Sequence, residues 1–145
     1  MRYILIALSL LAFFLGSAKA SFGACTDNRH SSVLEEFEAS KYVLVGSQIR
    51  EVEVTSTDDP GGVAATIYSI NPIEQFKGSQ SVRFDIWSEN STSRFVMENG
   101  IKYLLFIKSG PDGLYVDNCG NSARMDDRST TRVLKEVRSL NSKQH

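Results

Sequence analysis

Hydrophobic positions along this chain change their period several times, and each change marks a separate element. From Tyr3 to Leu15 nearly every residue is apolar, without the polar face that a core helix carries. Ser32-Val33-Leu34-Glu35 then reads as a capping box. It opens a short helix with Val33, Leu34 and Phe37 on one face, stopping near Ser40. Tyr42–Val54 is rich in β-branched residues and predicts a long strand, with Gly46 marking a bulge or tight bend. Thr55–Gly62 is polar, carries a Pro-Gly-Gly signal and predicts a surface loop.

Thr66–Phe76 predicts a second strand, on an edge or bulged at Pro72, because proline cannot donate to a ladder. Lys77-Gly78 turns the chain. Val82, Phe84 and Ile86 alternate with Arg83, Asp85 and Trp87, the cleanest two-residue period in the sequence. After a polar loop, Ser88–Arg94, the continuous apolar run Ile101–Ile107 fits a central strand. Gly110-Pro111-Asp112-Gly113 is a turn, and Leu114–Val116 begins a short return strand. Thr130–Leu140 predicts a helix with Val133, Val137 and Leu140 inward and Arg132, Lys135 and Arg138 on a solvated face. The sum is a mostly β domain: a five-stranded, oligonucleotide/oligosaccharide-binding (OB)-like barrel with a short N-terminal helix and a C-terminal helix. An open α+β sheet fits the same pattern.

Composition changes the picture first at the N-terminus. Arg2 before the apolar run and Ala18-Lys19-Ala20 after it make an export signal. The run is shorter than the about 20 residues that span a bilayer. The expected organisation is therefore a signal peptide over 1–20 and one domain over 21–145, secreted or periplasmic and soluble after signal removal. A lipidated Cys25 competes with this reading; the bulky Phe22 and the early end of the apolar run stand against it. The chain of 145 residues has a formal net charge of −1, and losing Arg2 and Lys19 makes it more acidic. It lacks the clustered basic residues that a nucleic-acid partner requires.

Candidate chemistry is sparse. Cys25 and Cys119 are the two cysteines, and an even count in an exported chain points to a disulfide, with two free thiols as the alternative. His30 and His145 are the two histidines, one in a polar stretch and one at the C-terminus. No nucleophile, base and orienting group come together, so neither catalysis nor a cofactor nor a metal site is expected. Glu35 belongs to the capping box, and Asp126-Asp127 suits the start of the last helix. Asp58-Asp59 falls short of the ligand number calcium needs. Asn90-Ser91-Thr92 matches a glycosylation sequon. Trp87 runs out of phase with Val82, Phe84 and Ile86, so it faces outward and is the candidate partner contact unless a flanking helix covers it.

Four short motifs occur in order: Ala39-Ser40-Lys41-Tyr42-Val43-Leu44-Val45-Gly46, Phe76-Lys77-Gly78, Gly100-Ile101-Lys102-Tyr103-Leu104-Leu105-Phe106 and Gly113-Leu114-Tyr115-Val116-Asp117-Asn118-Cys119. With Cys25 ahead of them, they resemble the tissue-inhibitor-of-metalloproteinases-like, or netrin-like, OB-fold module, especially its secreted bacterial versions. The resemblance covers nearly all of 21–145 and implies a protein-binding module whose Cys25 bonds to Cys119. Family members commonly open on a Cys-x-Cys pair; here Gly23-Ala24-Cys25 holds only the second cysteine. The partner of the missing one would precede Phe95, where Thr92-Ser93-Arg94 has none, so one whole bridge is absent. The animal inhibitors chelate a protease's zinc through an N-terminal cysteine. Ser21–Ala24 ahead of Cys25 would block that geometry, which argues against a metalloprotease partner bound in this way. The function expected is a non-enzymatic module binding a protein at the cell envelope, the alternative being a structural or assembly component without a discrete ligand site.

Overall fold

In a computed structural model of the chain, residues 31–92 and 94–143 are described. Residues 1–20, expected to be an export signal, lie outside the described residues, as do Cys25, His30 and His145.

Helix α1 (Val33–Ala39) opens on the expected capping box: Ser32 Oγ accepts from the Glu35 N–H, and the Glu35 carboxylate accepts from the Ser32 N–H at 2.9 Å. Those hydrogen bonds hold the Glu35 carboxyl below the usual carboxylate range. Val33 and Phe37 face the core, but Leu34 is exposed and the polar Glu36 is buried instead. The apolar stripe is thus narrower than the one read from the sequence.

Six strands follow: β1 (Tyr42–Thr55), β2 (Val63–Lys77), β3 (Phe84–Glu89), β4 (Lys102–Gly110), β5 (Gly113–Val116) and β6 (Ala123–Arg124), before helix α2 (Arg128–Ser142). They lie in the order β1-β2-β3-β5-β4-β6, and β1 also pairs with β4. That last pairing closes five strands into a ring, the OB-like arrangement expected, and removes the open-sheet alternative. β6 adds a sixth strand to the five anticipated; two residues are too short to leave a periodic signal. Val82 also departs from expectation. It precedes β3 and is 91% exposed, because inward alternation begins only at Phe84.

Two cores explain the hydrophobic pattern. Leu44, Tyr68, Ile70, Phe84, Ile86, Tyr103, Leu105 and Ile107 fill the ring, with Met97 from the β3–β4 connection. Val43, Val45, Leu104 and Phe106, on the opposite faces of β1 and β4, pack outward against Phe37, Val133, Leu134 and Val137 of the helices. β4 is covered on both sides, which is why it reads as an unbroken apolar run. Both of the alternatives expected at Pro72 are realised. The register shifts beside Gly46, which faces Pro72, and this stretch of β2 lies beyond the residues that pair with β3. A Cβ on Gly46 would lie 2.5 Å from Ile70 Cγ2, so glycine is needed for this close approach.

Candidate functional site

The ring is unevenly sealed. β1 and β4 pair from Tyr42 to Ser47, whereas β3 and β5 run parallel and share one paired position, Ile86 with Leu114. Beyond it, toward their C-terminal ends, no further pairing joins the two strands. A groove of about 580 Å³ opens there. Trp87, Ser88 and Glu89 form one wall and Tyr115, Val116 and Asp117 the other, with Arg94 and Phe95 from the β3–β4 connection and Pro111 and Asp112 from the β4–β5 turn.

Trp87 is placed by strand alternation. Ile86 points into the ring, so its neighbour must face out. Pairings of Val52 with Ile67 and of Ile67 with Trp87 set these three side chains in one row across the outer face of β1, β2 and β3. Trp87 is half-buried rather than fully exposed, and loop residues rather than a helix surround it in the groove. Its indole Nε1 is withdrawn from the surface with no hydrogen-bond partner among the described residues. An indole N–H normally finds an acceptor when buried, so this donor is an unmet demand at the groove wall.

The surroundings are ordered by polar contacts. Ser88 Oγ donates to the Phe95 carbonyl at 3.0 Å, holding the connection across the end of the ring. Arg94 donates to the Asn90 side-chain oxygen, and Asn90 Nδ2 donates to the Val63 carbonyl at 2.8 Å. The Asn90 side chain in the sequon is therefore engaged, beside Arg94 of the groove. Asp117 accepts from the Cys119 N–H at 2.9 Å and from Lys108 Nζ at 3.3 Å. Glu89, Asp112 and Asp117 line the groove together with one guanidinium, Arg94, around aromatic surface, and Lys108 pairs with Asp117. Binding is the chemistry this arrangement offers: flat apolar area, hydrogen-bonding rims and an acidic bias.

Other expected residues fall elsewhere. Cys119 is not a free thiol, while its expected partner Cys25 lies outside the described residues. Asp59 accepts from the Gly61 N–H at 3.1 Å and shapes the β1–β2 loop. Among the described residues no group of three or more His, Cys, Asp or Glu is placed to hold a metal ion. Among the same residues no helix is long and apolar enough to cross a membrane. Phe95, Tyr115 and Asp117 were not anticipated at the site. Each looks like an ordinary loop or short-strand residue until ring closure brings the three beside Trp87. No family model matches the chain, and no curated protein matches it significantly.

Proposed function

We propose that the chain is an exported, non-enzymatic binding module that takes a protein partner in the groove beside Trp87. The observation that carries this reading is the half-buried indole with its unpartnered Nε1, set among Phe95, Tyr115 and Pro111 where β3 and β5 part. Buried aromatic anchors within polar rims are the usual energetic centres of protein interfaces. Strand 3 and the β4–β5 loop also belong to the ligand-binding region of OB folds, a fold-level analogy that supports the location and leaves the ligand open. The tissue-inhibitor-like resemblance belongs to the same proposal, as do removal of residues 1–20, a secreted or periplasmic location and the Cys25–Cys119 bond. With Ser21 as the first residue, zinc chelation by the N-terminus forms no part of it.

Selection of displayed peptides against the oxidised, exported protein tests the reading. Enriched peptides should bind the wild type and lose at least tenfold in affinity on Trp87→Ala, with circular dichroism unchanged. Binding that survives Trp87→Ala would place the interface elsewhere. Self-association in sedimentation, with no peptide enriched, would favour the assembly role.

A further inference from the structure

β1 continues well past the ring. It leaves β4 after Ser47, yet stays paired with β2 as far as Thr55. From Ile49 to Thr55 its second edge therefore has no strand beside it among the described residues, and Ile49 to Glu53 are all exposed. On such an edge every second residue turns its N–H and C=O outward, a ready template for another strand.

The side chains say what kind of strand fits. A register shift between Gln48 and Arg50 leaves Ile49 without a partner and reverses the alternation. Glu51, opposite Tyr68, and Glu53, opposite Thr66, consequently share the inner face, where they line a recess of about 360 Å³ with Arg94. Arg50, Val52 and Val54 share the outer face, where Val52 begins the row that runs through Ile67 to Trp87.

We infer that the Ile49–Thr55 edge of β1 receives an extended segment of a partner protein by antiparallel strand addition, and that this segment alternates basic and apolar residues. Basic side chains opposite Glu51 and Glu53 meet opposite charge; apolar ones opposite Val52 and Val54 extend the outer row. A second copy of the chain is a poor occupant. Two-fold antiparallel pairing centred on Glu51, Val52 or Glu53 sets carboxylate against carboxylate, centring on Arg50 sets two guanidiniums together, and centring on Val54, which sets Glu53 against Thr55, uses only the last residues of the strand. Like charges directly opposite one another are unfavourable, so the edge resists itself while remaining open to a cationic strand. The edge lies two strands from Trp87 and its strand pairing does not use the groove, although Arg94 lines both recesses and the outer row ends at Trp87.

The test uses a capped synthetic peptide, Thr-Val-Lys-Val-Lys-Glu-Thr, titrated into the oxidised full-length protein and followed by amide chemical shifts. Saturable binding should perturb residues 49–55. N-methylation of one alternate set of peptide amides should abolish it, and methylation of the other set should not. The double variant Glu51→Lys, Glu53→Lys, at exposed positions, should bind at least tenfold more weakly and should prefer a peptide with its lysines exchanged for glutamates. Trp87→Ala should leave this binding unchanged, which separates it from the groove. No saturable binding, equal binding of both N-methylated peptides, or a dimer formed through residues 49–55 would overturn the inference.

Discussion

Glu36 shows how one buried side chain ties sequence-distant segments together. It is 2% exposed, and its Oε2 accepts from the Asn121 backbone N–H at 2.5 Å and from Asn121 Nδ2 at 2.7 Å. Gly120 leaves room for it, since a Cβ there would lie 1.9 Å from Glu36 Oε1. Glu36→Ala strips two donors of a buried acceptor and should destabilise by about 2–4 kcal/mol, read by urea denaturation. Gly120→Ala should be costly in the wild type and markedly less so in the Glu36→Ala background. Equal cost in both backgrounds would mean the glycine serves its own backbone instead. Gln48 goes further than Glu36, whose Oε1 is itself buried without a hydrogen-bond partner among the described residues. Gln48 is fully buried inside the ring, and neither its Nε2 nor its Oε1 has a partner among the described residues. Gln48→Met keeps the length and removes two unmet polar groups, so it should stabilise by about 1 kcal/mol; a loss of stability would show that the amide is satisfied in solution. Tyr103 is better served: its ring fills the core while its hydroxyl accepts from the Glu98 N–H at 2.8 Å.

At the scale of elements, the two helices are held by contacts that pattern reading saw unequally. The cap of α1 was legible because a capping box is a local code, four residues long. The end of α1 was legible in position, near Ser40, but not in what holds it. Its last carbonyls, Phe37 O and Glu38 O, accept from Lys77 Nζ at 2.7 and 2.8 Å, and the same ammonium sits 5.4 Å from the centre of the Phe37 ring. Lys77 read as a turn residue because nothing local in the sequence connects it to α1. Lys77→Met keeps the apolar stem and removes the charge; it should cost about 1–2 kcal/mol, whereas Lys77→Arg should recover part of the loss. For α2, Asp127 is the N-cap and accepts from the Ser129 N–H at 2.9 Å, while Arg138 pairs with Glu74 at 2.7 Å from the supposedly free basic face. The Ser129 hydrogen bonds hold the Asp127 carboxyl below its ordinary value of 3.8. Its contribution is therefore complete above that value and disappears as pH falls through the lower folded-state one. Asp127→Asn retains a capping oxygen without titrating. The difference between wild type and variant should shrink on acidification below about pH 4. A pH-independent difference in melting temperature would show that charge at this cap is irrelevant.

For the whole molecule, periodicity revealed most strands but not their closure. Ile101–Ile107 announced a strand covered on both faces, yet nothing in it specified that one face meets the helices and the other the ring interior. The groove was still less visible, because it exists only where β3 and β5 fail to continue pairing after Ile86 and Leu114. Trp87 could be assigned an outward face from alternation alone; its neighbours Phe95, Tyr115 and Asp117 come from segments without a period. The same uneven closure sets the order in which the ring should open. β4 is flanked by β1, β5 and β6 and carries Leu104 through Ile107 at 0% exposure, so its amides should exchange only by global unfolding. The seam beside Trp87 has one paired position and a neighbouring strand of four residues, so its opening costs far fewer contacts. Hydrogen exchange should accordingly find those amides of Trp87–Glu89 and of β5 that bond to neither β2 nor β4 released by sub-global opening, well before those of β4. A ligand seated in the groove would bridge the two strands and slow exchange at the seam while leaving β4 unchanged. Protection of the seam equal to that of β4 in the free protein would mean that β3 and β5 are joined more firmly than one pairing allows, and the groove would then be a rigid wall rather than an opening.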